Sequence, residues 1–313
     1  MPASPSLLDR LNTVSPPVQG ALLVTASAFL FAWMNIAVRM SAVELHPIQI
    51  AFFRNFFALV FILPWLMRVG REGLRTKRMG LHLWRTVIGL LAMYCWFSSV
   101  VLVPLAEAVA LNFTLPLFAT AGAALFLPEK VGLRRWSATF IGFLGMLVIL
   151  RPGFTEVTAP MALPIVAAVF MAVSVLIVKT LADTENPNAI VLYMNLFMTP
   201  LSLIPALFVW RWPSLSVWVA LAALGLLATL AHLCLTRAYT KADASAIMPF
   251  DYARLPFVAA LAYLLYGEVA DIWTWTGAGI IAMSAFYIAN REAKVARLRK
   301  SAQIAGQAPT GRP

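Results

Sequence analysis

Residues 34–57 read MNIAVRMSAVELHPIQIAFFRNFF, and residues 174–197 read SVLIVKTLADTENPNAIVLYMNLF. Aligned without gaps, they pair Val38 with Val178, Arg39 with Lys179, Ala42 with Ala182 and Pro47 with Pro187. Ile50 then pairs with Ile190, Asn55 with Asn195 and Phe57 with Phe197. Farther along, Pro116 pairs with Pro256, Glu129 with Glu268 and Trp136 with Trp275, and Ala106-Glu107-Ala108 pairs with Ala242-Asp243-Ala244 at a smaller offset. Apolar matches arise by chance in an apolar chain. Cationic, proline, asparagine, glutamate and tryptophan matches at nearly one offset point instead to an internal duplication.

Each copy lies in sequence fit for lipid. The 313 residues are 61% hydrophobic and 12% charged, against roughly half and a quarter in soluble domains. A bilayer core of about 30 Å takes roughly 20 apolar helical residues. Apolar runs fall at roughly 18–38, 47–67, 83–103, 106–127, 136–150, 159–180, 187–209, 217–238, 244–266 and 273–290. The expected fold is therefore an all-α integral membrane protein of ten transmembrane helices. Five helices per copy is an odd number, so the second copy starts on the opposite side, giving two inverted five-helix repeats.

Charge orients this scheme, because Lys and Arg gather in cytoplasmic loops. With both termini cytoplasmic, nineteen of the 24 basic residues lie inside and only Arg39, Arg151 and Arg211 outside. Arg54 and Arg254 fall within helices. The expected divisions are 1–17, a cytoplasmic N-terminal segment; 18–153 and 159–290, the two repeats; and 291–313, a basic, disordered cytoplasmic tail. No cleavable signal peptide is expected. The net charge of +11 reads as an orientation signal, with no nucleic-acid partner.

Polar groups in hydrocarbon are expensive and are functional candidates by default. Arg54 sits about 10 Å into the second helix at 1.5 Å per residue. It is either a structural tie or a partner for a substrate carboxylate. Asp251 and Arg254, three apart on one helix face, form either a self-neutralised pair or one that opens for substrate or a proton. Tyr252 lies between them. Pro256, and Pro116 beside Asn112 and Thr114, would break helices nine and four where these line a cavity. Trp33 and Asn35 in helix one, Tyr94 and Trp96 in helix three, and His232 in helix eight complete the candidate set. Each alone can be packing or inter-helix glue; together they suit an organic solute with a ring or apolar portion. Gly142, Gly145, Gly277 and Gly279 make helices five and ten either scaffold or a homodimer surface.

Cys95 and Cys234 lie in apolar runs and read as packing residues. His46, His82 and His232 have no metal-ligand spacing, and no metal or cofactor is expected. No HExxH, GxSxG or phosphate-cradling glycine loop is present, so neither an enzyme nor an ATP-driven pump is expected.

The chain resembles the drug/metabolite transporter superfamily, in particular the EamA-like transporters. The resemblance is carried by His46-Pro47 through Arg54-Asn55-Phe56-Phe57, by Pro104-Leu105-Ala106-Glu107-Ala108 leading to Leu115-Pro116-Leu117-Phe118, and by Pro128-Glu129-Lys130. Gly142 to Arg151-Pro152-Gly153, Lys241-Ala242-Asp243-Ala244-Ser245-Ala246 and Gly267-Glu268 extend it over about 18–292. It implies two inverted repeats, alternating access without ATP, and a central cavity lined by helices 1, 3, 4, 6, 8 and 9. The Arg-x-Phe-Phe stretch of helix two and the Pro-aromatic-charged-Tyr stretch of helix nine look like the branch with S-adenosylmethionine and riboflavin uptake carriers. The first helix lacks the embedded glutamate of the small multidrug relatives, so their proton exchange does not transfer. The expected function is a secondary carrier in an inner membrane. It would import a small heterocyclic metabolite or, alternatively, export amino acids or their derivatives; a membrane-embedded enzyme or receptor is the distant alternative.

Overall fold

The computed structural model describes residues 16–70, 76–115, 117–119, 122, 133–151, 158–182, 185, 187–241, 248–284 and 286–287. Every secondary-structure element among them is helical. Helix α1 covers Pro16–Ser41, α2 Pro47–Val69, α3 Met79–Leu102 and α4 Leu105–Asn112. Helix α5 covers Leu133–Leu150, α6 Ala162–Ala182, α7 Pro187–Phe208 and α8 Leu215–Lys241. A 3-10 stretch, Met248–Ala253, leads into α9 at Arg254–Tyr266, and α10 covers 272–284.

Pro16, Pro47 and Pro187 open their helices, where a missing N–H loses no helical bond. At α2 the His46 ring nitrogen Nδ1 caps the start by accepting the Ile48 N–H at 3.3 Å. Helices α1, α2, α3, α6, α7 and α8 are long and apolar enough to cross a bilayer; α4, with its extension to Ala119, and the 140–150 part of α5 are shorter apolar helices. Large apolar side chains such as Trp84, Phe208 and Leu264 are exposed, as an outer surface solvated by lipid requires. Small residues line the interior seams instead: Ala28 and Ala32 in α1, Ala228 and Ala231 in α8, where they let backbones approach.

The packing has a pattern. α1 packs on α8, and α3 on α6. α2 packs on α7. Exchanging the two halves turns each pairing into another of the same set. Two glycines show it at atomic scale. A Cβ on Gly225 would meet Phe57 Cβ at 2.3 Å, and one on Gly89 would meet Met198 Cε at 2.5 Å. Gly89 and Gly225 are separated by the offset that pairs Ala106 with Ala242, while Ala58, beside Phe57, corresponds to Met198.

Four expectations shift. Helix α3 begins at Met79 rather than 83, which carries Arg85 out of the loop and about two turns into the helix. Helix α4 stops at Asn112, and Phe113 and Thr114 form a turn; Pro116 lies outside the described residues. The ninth helix starts only at Arg254. Pro256 therefore sits in its first turn, where the N–H has no helical partner to lose, and opens the helix rather than breaking it. Finally, the glycine seam closes within one chain: a Cβ on Gly277 would meet Gly145 O at 2.5 Å and Ile149 Cγ1 at 2.4 Å. α5 and α10 pack on each other there, while Gly142 faces Leu117.

Candidate functional site

The interior holds polar groups left unsatisfied among the described residues. Asn35 in α1 is 1% exposed, yet neither its Oδ1 nor its Nδ2 has a hydrogen-bond partner there. The same is true of the Tyr94 hydroxyl in α3, the Tyr252 hydroxyl ahead of α9, and the Nε atoms of Arg85 and Arg254. A buried group left unpaired costs about 1–3 kcal/mol. A fold tolerates such a set where water or a solute completes it.

Aromatic rings stand against two of these groups, Arg254 and Tyr252. Phe31 of α1 meets His232 of α8 edge-on at 5.3 Å, and the Arg254 guanidinium lies 4.7 Å from the same Phe31 ring. Tyr252 meets Phe113 edge-on at 4.7 Å, joining the α9 approach to the α4 turn. Arg254 donates to Asp251 at 2.5 Å, so the pair anticipated from its spacing is formed. Trp96 is buried in α3.

Other candidates are used locally. The Asn112 amide donates to Pro164 O at 3.3 Å and approaches Met171 Sδ at 3.7 Å, tying α4 to α6. The Thr114 hydroxyl donates to Leu111 O and closes the turn after α4. Trp33 shares an exposed stripe with Leu22, Phe29 and Met40, on the face of α1 away from Asn35. Arg54 is buried, and its Nη1 donates to Asn55 Oδ1 at 2.9 Å and Asn195 Oδ1 at 3.1 Å. The structure thus brings Asn35, Tyr94, His232, Asp251, Tyr252 and Arg254 inward and leaves Trp33 outward.

Two features escaped the sequence reading. Arg85 is one; its signal was an arginine already flanked by Leu83, Trp84, Val87 and Ile88. The other is a junction at the end of the bundle that carries the α1–α2 turn. Arg39 pairs with Glu268 and donates to Val100 O at 3.0 Å and Val103 O at 2.7 Å. Glu268 also accepts the Leu105 N–H at 3.0 Å. Gly267, left-handed at φ 68°, turns the chain that presents Glu268. One junction therefore joins α1, the α3–α4 link and the α9–α10 link.

The same end carries two more ties. Gln49 exchanges two bonds with the Arg211 backbone, at 2.6 and 3.1 Å. Glu44 accepts the Ser214 N–H at 2.9 Å and its hydroxyl at 2.6 Å, at the start of α8. Those two bonds lower the Glu44 carboxyl below its ordinary range, the side-chain bond most. At the opposite end, Glu185 accepts from Thr76 Oγ1 at 2.6 Å and lies 3.7 Å from His82 Nε2. A surface depression beside Glu44, His46, Trp210 and Arg211 lies at a bundle end, not among the orphaned groups.

An apolar-surfaced helical bundle with aromatic rings beside incompletely bonded polar groups in its interior is the architecture of a membrane transporter. The EamA-like transporter family model matches residues 18–151 and again 159–290, and the chain belongs to that family within the drug/metabolite transporter superfamily. It is 36% identical to a riboflavin transporter of Vibrio cholerae over 91% of this chain and 97% of that one. It is 28% identical to an S-adenosylmethionine uptake transporter of Rickettsia bellii, over 91% and 97% respectively. One solved structure is similar with a TM-score of 0.62 and 17% identity, covering 87% of this chain and 98% of that one; that likeness shows the fold alone.

Proposed function

We propose that the chain is a secondary-active carrier that imports a small heterocyclic metabolite of the riboflavin type across a bacterial inner membrane. The observation that carries this is the aromatic-walled interior with orphaned Asn35, Tyr94 and Tyr252, in a chain similar over nearly its whole length to a riboflavin transporter. A flat ring with polar edges fits such an interior: aromatic walls take the faces, and the free hydroxyl and amide groups take the edges. In this reading Asn35, Tyr94, His232, Asp251, Tyr252 and Arg254 contact the solute, Trp96 lies behind them, and Asn112 and Thr114 shape the α4 turn.

Ten spans with both termini cytoplasmic, in repeats 18–153 and 159–290, give the mechanism. The exchange-related packing of α1 on α8 and α3 on α6 supports it. Each half then rocks against the other, so that the central site opens to one side at a time. The end with Arg39 and Glu268 is periplasmic.

The test is uptake by purified protein in sealed liposomes, with labelled riboflavin and labelled S-adenosylmethionine as separate arms. Saturable riboflavin accumulation is expected. Movement of neither, with movement of an amino acid from preloaded vesicles, would replace this reading by export; chemical conversion without movement would remove the carrier itself.

A further inference from the structure

Arg54 is a buried cation and Arg85 a partly buried one, and neither has a carboxylate partner among the described residues. Arg54 is 3% exposed, and both of its bonds run from Nη1 to asparagine oxygens. Those asparagines, Asn55 and Asn195, are a matched pair of the internal repeat. They hold one guanidinium where the two halves meet. Nε and Nη2 bond to nothing among the described residues. Arg85 donates from Nη1 to Ile190 O at 3.2 Å, and its Nε is buried and unpaired. Neither arginine forms an ion pair among the described residues.

The two arginines meet the same helix: Arg54 bonds to Asn195 and Arg85 to Ile190, both on α7. Among the described residues, Asp251 is taken by Arg254, and Glu185 by Thr76, Lys77 and His82. Burying one unpaired charge is costly, and burying two like charges together costs more. Asparagine oxygens satisfy hydrogen bonds but cancel no charge. A guanidinium has five donors and no acceptor, so what completes the pair must accept and must not bring positive charge.

We propose that Arg54 and Arg85, at the junction of α2, α3 and α7, form an acceptor-binding subsite that docks an electron-rich edge of the transported solute. That edge is a ring carbonyl oxygen beside an unprotonated ring nitrogen of a heterocycle, or a carboxylate. Two parallel bonds from a guanidinium fork suit either pair of adjacent acceptors. The subsite selects by charge: a neutral or anionic solute is favoured, and one with a net positive charge is repelled. This rests on the carrier reading above and narrows its substrate. A flavin passes the filter. S-adenosylmethionine, with a sulfonium and an ammonium against one carboxylate, does not.

The test uses the purified full chain and its variants R54Q, R85Q and R85K. Melting temperature without solute is read first. Removing an uncompensated buried charge should leave it unchanged or raise it. Riboflavin should stabilise the wild type, R54Q and R85Q should weaken its affinity about tenfold or more, and R85K, with charge but no fork, should fall between. S-adenosylmethionine should bind the wild type less tightly than riboflavin. A lower melting temperature in R85Q with riboflavin affinity retained would make Arg85 a structural tie and overturn the subsite. Tighter binding of S-adenosylmethionine would overturn the charge filter while the carrier reading stands. If the wild type binds neither, the riboflavin reading fails separately. The subsite then stands or falls on the solute-free melting temperature and on a panel of carboxylates, nucleosides and amines. Any stabiliser without an acceptor edge, or equally effective on R85Q, overturns it.

Discussion

Asn35 shows most directly what the site does to stability. Its amide is buried in α1 with no partner for either atom among the described residues, a cost of about 1–3 kcal/mol. Leucine has nearly the same shape and no such cost, so N35L should melt at the wild-type temperature or a few degrees above it and lose transport. Melting in detergent with liposome uptake on the same preparation checks this; a destabilised N35L that still transports would make Asn35 inter-helix glue. Single residues also show what the sequence could and could not tell. Asn35, Tyr94, Tyr252 and the Asp251–Arg254 pair were legible because a polar side chain in an apolar run stands out. Which face it occupies was not. Trp33 lies two residues from Asn35, and that rotation sends it to the exposed stripe. Arg85 was lost because it was counted with the basic loop before the third helix, although the apolar run from 83 already contained it.

Elements reveal how close the helices must come. Gly277 lets α10 touch the α5 backbone, and the atoms a Cβ would meet include Gly145 O at 2.5 Å. Backbone cannot swing aside as a side-chain tip can, so Gly277→Ala should push α5 and α10 apart at a cost of about 1–3 kcal/mol. Thermal unfolding should register this, whereas Gly279→Ala, with nothing within 4 Å, should be silent. The start of α8 makes a second expectation. Glu44 bonds to Ser214 there and faces the positive end of the helix dipole. Its carboxyl is lowered in the folded state. The stabilisation is therefore complete above the unfolded value of about 4.3 and lost as pH falls through the folded value. Melting of wild type and E44Q should differ at neutral pH and converge below about pH 4; a constant difference would sink the idea. The glycine seams and apolar runs were visible beforehand, but not the partner of each glycine, which depends on how the helices assemble.

At the scale of the molecule, the duplication predicts more than a shape. Arg39 and Glu268 tie one end of the bundle, periplasmic in the proposed orientation, across the two halves. Their matched residues are Lys179 and Glu129, which an inverted repeat assigns to the cytoplasmic end. In the carrier reading, the first pair holds the outside shut when the halves rock, and the repeat in the sequence predicts the same role for its matched residues at the inside. Each pair then favours one state, and a bias of about 1–3 kcal/mol changes the ratio of states some 5- to 150-fold. Neutralising one acid at each end should shift the balance in opposite directions. The chain carries its own reporters, the free and half-buried Cys95 and Cys234, beside Tyr94 and close to His232. In sealed, oriented vesicles, an impermeant thiol reagent added from the periplasmic side should react faster with E268Q than with wild type, and slower with E129Q. From the cytoplasmic side the order should reverse. Equal changes from both sides would mean that the two acids merely hold the fold together. A change in E268Q alone would mean that the halves do not share the work of closing. Opposite shifts would make one duplicated ion pair the latch at each end of a single rocking motion.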